Sequence, residues 1–285
     1  MSIFLSLLKT TLNVNYGISA LKYRFTREKK RIWEPVLIGL SAIIGISSLV
    51  TLFGAFLYAA FIGGQSINHP EMVITFGFMA SQIVVFIFGI FYIMSAFYFS
   101  KDLNILVPLP LKPSYVLGSK FLVVMINEYF TLLPVLLPAI IIYGIGMSQG
   151  PVYWFKGIVL ILAAPAIPLI IGALFIMVLM RFVNIRRSKD LLAVLGGVFG
   201  LSIALGVNFF VQKLPKGNEQ EFLKNILSTQ AGIVETIGRS FPPSIWATFG
   251  LTRPGPEGVS YFLLFIGISI LLFILLLWFG NRVFY

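Results

Sequence analysis

Glu128 is a carboxyl set inside a long apolar run, and few other side chains in this 285-residue chain could do chemistry. It lies eight residues past Lys120, which at 1.5 Å rise per residue puts it about 12 Å deeper along a helix. Gln82, about ten residues inside another apolar run, falls at a comparable depth. An ionisable group in the bilayer interior costs several kcal/mol unless paired or neutralised, and such groups often mark a path for substrate or protons. Glu128 and Gln82 are therefore candidate translocation-path residues. The competing reading makes Glu128 a protonated or hydrogen-bonded packing residue, helped by Asn127, Tyr129 or Gln82.

A second constellation is Ser100 to Ser114, which carries Lys101 and Asp102 at its start and Pro108, Pro110 and Pro113 at its end. Proline lacks the backbone donor a helix interior needs, so this stretch cannot continue the apolar runs on either side. It reads as a short amphipathic segment along the inner membrane surface, open to a partner; the alternative is an ordinary surface turn. Other chemistry is absent. There is no cysteine, which excludes disulfides and thiolate metal sites, and one histidine, His69, in a loop. No Walker-type glycine loop ending in Lys-Ser/Thr occurs, so the chain does not itself bind ATP by that route. Neither a His-Glu-x-x-His helix nor a Ser-His-Asp set can be assembled, and an intramembrane enzyme would lack the polar cluster it needs.

The elements that must position these residues are membrane helices. The chain is 58% hydrophobic and 11% charged, less than half the charge of soluble domains at about 25%, with mean hydropathy +0.97. This composition predicts an all-α polytopic membrane protein. Six apolar runs are long enough to cross a hydrocarbon core of about 30 Å: 35–63, 72–99, 115–146, 153–180, 190–212 and 258–280. Pro134, Pro138, Pro165 and Pro168 predict tilt or kinks in the third and fourth. With both termini inside, fifteen of the 21 basic residues fall in inner segments and six in outer ones. The net charge of +11 is thus the signature of membrane topology, and a nucleic-acid role is set aside.

Residues 1–32 make a poor signal peptide, because no basic leader or small-residue cleavage site is present. Phe4, Leu7, Leu8, Ile18 and Leu21 recur at helical spacing before the basic run Lys22 to Arg31. They predict either a helix lying on the inner leaflet, its cations near anionic head groups, or a helix packed on neighbouring spans. The long outer loop, 213–257, is predicted helical: Phe222, Ile226, Ile233 and Ile237 share a face. A break at Phe241, Pro242 and Pro243 then starts a short helix through Trp246 to about Gly250. Gly196 and Gly200 give the fifth span a small face, and Ser41, Gly45 and Ser48 give one to the first. The basic inner loop Arg181 to Asp190 reads as a topology anchor or as a second contact for a cytoplasmic partner.

Together these parts resemble the membrane subunit of a bacterial ABC transporter of the type-2 exporter class: an N-terminal interfacial helix, six spans and a helical outer loop before the last. Lys101 to Leu111 is similar to the segment after the second span in that class, an acidic residue followed by spaced leucines and Leu-Pro, and Lys112 to Lys120 continues the pattern. The resemblance implies a single permease domain over 1–285 in the bacterial cytoplasmic membrane. It makes 100–114 the coupling segment that docks on an ATPase, with Asp102, Leu103, Leu106, Leu109, Pro110 and Lys112 as the docking residues. It further implies no cofactor in this chain, Mg-ATP on a separate ATPase subunit, and a second permease subunit meeting the first and fifth spans. Phe241, Pro242, Pro243 and Trp246 become an outer gate. Some similar permeases are about twice this length, so the chain is expected to be a complete subunit, a half or a truncated one. A membrane scaffold or assembly factor without transport remains the alternative.

Overall fold

The computed structural model describes residues 3–19, 22–23, 33–97, 100, 113–182 and 241–283. Among them the chain forms eight helices and no strand: α1 (Ile3–Tyr16), α2 (Trp33–Ser66), α3 (Met72–Phe97), α4 (Pro113–Gly146), α5 (Pro151–Ala163), α6 (Ala166–Phe182), α7 (Pro242–Thr252) and α8 (Gly255–Val283). Five segments are long and apolar enough to cross a membrane, at 36–66, 72–97, 114–146, 151–178 and 255–280. They coincide with five of the six runs expected from sequence. The other run, 190–212, lies outside the described residues, as do 101–112, the basic loop after Phe182, and 213–240.

In lipid every backbone group must find its partner within the protein, which makes helix ends as important as helix interiors. The two short connections after α2 and α4 end their helices in the same way. After α2, Asn68 adopts φ +59°, its N–H donates to Gln65 and that of His69 donates to Gly64. After α4, Ser148 adopts φ +51°, its N–H donates to Ile145 and that of Gln149 donates to Gly144. Both are Schellman caps, each closing its helix with a non-glycine residue in the left-handed region. Pro70 and Pro151 then bar the helix from resuming in its old direction.

The prolines behave differently by position. α4 runs unbroken past Pro134 and Pro138. The fourth run is instead split: α5 stops at Ala163 and α6 begins at Ala166, with Pro165 between them and Pro168 in the first turn of α6, where no intrahelical donor is required. The Leu162 carbonyl beside this break accepts a hydrogen bond of 2.6 Å from the Tyr129 hydroxyl of α4.

α3 and α4 form the central antiparallel pair. Gly77 meets Ala139 so closely that a Cβ at 77 would overlap the Ala139 methyl, and 19 residues further along α3 the Ala96 carbonyl receives the Lys120 ammonium at 2.8 Å. α5 and α6 cover this pair on one side, with Leu169 filling the space above Gly89. α7 is fixed to α3 by the buried hydroxyls of Thr75 and Thr248, 3.0 Å apart, and α8 brings Phe265 against Phe78 and Phe273 against Phe121.

α1 follows α4 rather than crossing it. Phe4 packs on Tyr115, and twelve residues later Tyr16 bonds to Asn127, twelve residues along α4, so the two helices run parallel for about 18 Å. Packing on a neighbouring span, one of the two sequence expectations for this helix, is present. Among the described residues α2 touches the bundle towards its C-terminal end, through Leu57, Phe61 and the Phe56–Phe76 ring pair. Residues 36–52 are all exposed among the described residues, and the Ser41, Gly45 and Ser48 stripe meets nothing there.

The α3–α4 approach yields a test. Gly77→Leu should lower stability by about 1–3 kcal/mol through overpacking against Ala139. Gly45→Leu, in open space, should leave thermal unfolding in detergent unchanged or raise it slightly through helix propensity.

Candidate functional site

Two buried polar side chains in the central pair stand out, Gln82 on α3 and Glu128 on α4. Glu128 and Gln82 are both 0% exposed. The Glu128 Oε1 and both polar side-chain atoms of Gln82 have no hydrogen-bond partner among the described residues. The two do not form a pair. Glu128 sits opposite Gly89, where a Cβ would lie 3.6 Å from its Oε1, and Gly89 is seven residues beyond Gln82, or about 10 Å along α3. The comparable depth expected from sequence is corrected by helix length. α3 has 26 residues, about 39 Å, which exceeds the hydrocarbon core, so depths counted from opposite ends do not meet.

Thr131 is the partner of Glu128, one turn on. Its Oγ1 lies 2.8 Å from the Glu128 backbone carbonyl and 2.8 Å from Oε2. A hydroxyl has one proton to give, so Oγ1 donates to one of these two oxygens at a time. The other expected helpers are engaged elsewhere: Tyr129 with Leu162, and Asn127 as acceptor from the Tyr16 hydroxyl at 2.6 Å and the Asn15 amide at 3.5 Å. Thr131 was legible as an i+3 neighbour, whereas Tyr16 was not, because nothing local ties residue 16 to residue 127.

Lys120, counted from sequence as a topology cation, is 3% exposed. Its bond to Ala96 satisfies a carbonyl in the last turn of α3, where cations and donors are favourable. It therefore joins the end of α3 to the start of α4 on either side of 101–112. Asp102, Leu103, Leu106, Leu109, Pro110 and Lys112 themselves lie outside the described residues.

At the opposite end, Phe241 precedes α7 as its N-cap, with Pro242 and Pro243 in the first turn. Pro242 is exposed, Pro243 and Trp246 are partly buried, and Trp246 packs on the core. The Ser244 hydroxyl donates to the Phe241 carbonyl at 2.8 Å, and Lys156 of α5 donates to Gly250 at 3.1 Å. The candidate gate residues thus start a helix whose second half is fastened to α3 and α5. No group of three or more His, Cys, Asp or Glu that could hold a metal occurs among the described residues.

This is a multi-pass helical membrane protein whose polar groups sit in the helix interfaces. A protein-family model described as "Putative ATP-binding cassette" matches residues 27–285, and the chain belongs to that family. No curated protein and no solved structure matches it. The family makes this a transporter-related membrane protein associated with ABC transporter components.

Removing the carboxyl separates its packing from its charge. Glu128→Gln should unfold within about 1 kcal/mol of the parent, since an amide oxygen can accept from Thr131 in place of the carboxyl oxygen. Glu128→Ala should lose about 2 kcal/mol or more through the cavity it leaves, read from thermal unfolding in detergent.

Proposed function

We propose that the chain is the permease subunit of an ATP-driven exporter, coupling ATP hydrolysis on a separate subunit to outward movement of a substrate. The observation that carries this is a match to an ATP-binding cassette family over 27–285 in a chain built of membrane helices, with no Walker-type loop of its own. Nucleotide and Mg2+ then belong to a partner ATPase. The membrane is the bacterial cytoplasmic membrane, with both termini on the cytoplasmic side.

Residues 101–112 join α3 to α4 at one end of the bundle, the end tied by Lys120 and Ala96. A push on Asp102, Leu103, Leu106, Leu109, Pro110 or Lys112 reaches both helices of the central pair, whose shared interface holds Glu128. Gln82 and Glu128 mark the path, and the segment from Phe241 to Trp246 is its outer gate. The uncovered half of α2 supplies apolar surface for a second permease subunit.

Affinity purification in mild detergent from the native cell should recover a stoichiometric ATPase with hydrolytic activity. Asp102→Lys and Leu106→Glu should each lose it. Recovery of the chain without an ATPase, under conditions that preserve other membrane complexes, would replace this reading with that of a membrane scaffold.

A further inference from the structure

At the end of the bundle where α5 and α8 begin, residues 149–156 and 251–259 supply the walls of a cavity of ≈ 370 Å³. Both stretches are continuous among the described residues. The volume falls within the range of about 300–1,000 Å³ for small-molecule sites. Lys156 and Arg253 both line it, and no acidic side chain is in its wall among the described residues.

The two cations are not equivalent. The Arg253 guanidinium is already engaged: it pairs with Glu257, lies 3.8 Å over the Phe249 ring and stands 5.7 Å from the Tyr261 ring centre. Lys156 forms no ion pair among the described residues. Its ammonium donates to the Gly250 carbonyl at 3.1 Å and stands 6.0 Å from the Phe262 ring centre. An ammonium has three donors, so two remain after that bond. Lys156 is also about 8 Å past Pro151, inside a segment apolar enough to cross a membrane. A charge set into a span is costly unless it is countered, and one carbonyl with a ring face leaves this charge uncancelled. Gln149 adds an amide to the same wall. Lysine is a common point-charge ligand for phosphate.

The surface leading away from the cavity says what carries the anion. Val152 lines it from α5 and Val259 from α8. Phe155 and Leu263, at i+3 and i+4 from these valines, continue the same helix faces further into the spans, and all four are exposed. Apolar surface on two neighbouring helices therefore runs from the cation towards the membrane middle, the direction in which a lipid's chains run from its head group.

We propose that this cavity binds the phosphate of an anionic phospholipid, with Lys156 as its counter-charge and the acyl chains along Phe155 and Leu263. A choline head group would bring a further cation beside Lys156, with no acidic side chain in the wall to receive it. The site stands on the cavity and its lining, and does not depend on the exporter reading.

The test uses the full chain in detergent, with retained lipid counted by native mass spectrometry. The probes are phosphatidylglycerol and phosphatidylcholine of identical acyl chains, and inorganic phosphate. Phosphatidylglycerol should be retained about fivefold over phosphatidylcholine, the preference expected of one lysine near the membrane surface. Lys156→Met should abolish the preference, whereas Lys9→Met, which removes an exposed cation on α1, should keep it. Because Lys156 also bonds Gly250, Val152→Trp provides a variant that fills the cavity from an exposed position and spares that bond. It should cut phosphatidylglycerol retention by a similar factor with unchanged thermal unfolding. Equal retention of the two lipids, loss of the preference in Lys9→Met, or full retention by Val152→Trp would overturn the proposal. So would displacement by inorganic phosphate at the concentration at which phosphatidylglycerol itself competes, since the chains would then contribute nothing.

Discussion

The close seam between α3 and α4 is the constraint on which the rest depends. Lipid offers helices no hydrophobic drive to associate, so packing must come from surfaces that fit, and small residues permit the closest fit. Gly77 against Ala139 sets the spacing near one end, and Gly89 leaves room for Leu169 and the Glu128 carboxyl further along. With those contacts made, Lys120 reaches the end of α3 and Glu128 is sealed from solvent. A larger side chain at either glycine would move all of these groups together.

The same seam runs between two distant ends of the molecule. α3 carries Thr75 against α7 at one end and Ala96 under Lys120 at the other, about 30 Å apart along one unbroken helix. The buried polar layer lies between.

The membrane spans were the most legible part of the chain, because length and apolarity are recorded residue by residue. So was the start of α7, which Pro242 and Pro243 announce. Pro165 marked a break and Pro134 did not, since a proline's effect depends on whether neighbours satisfy the backbone it frees. The course of α1 was not legible: helical spacing of Phe4, Leu7 and Leu8 defines a face but carries no information on what that face meets. The separation of Gln82 from Glu128 was hidden for a related reason, as relative level is set by the Gly77–Ala139 register and not by either run alone. Asn68 and Ser148, each followed by a proline within three residues, were readable cap signals.

α2 is a lever clamped at one end. Its C-terminal part is wedged into the bundle by Leu57 and Phe61, while residues 36–52, half of its 34 residues and about 26 Å of helix, are exposed among the described residues. Two kinds of information are therefore written on one helix. Near the clamp, a side chain is answerable to the fold of its own chain; along the arm, it is answerable to its surroundings.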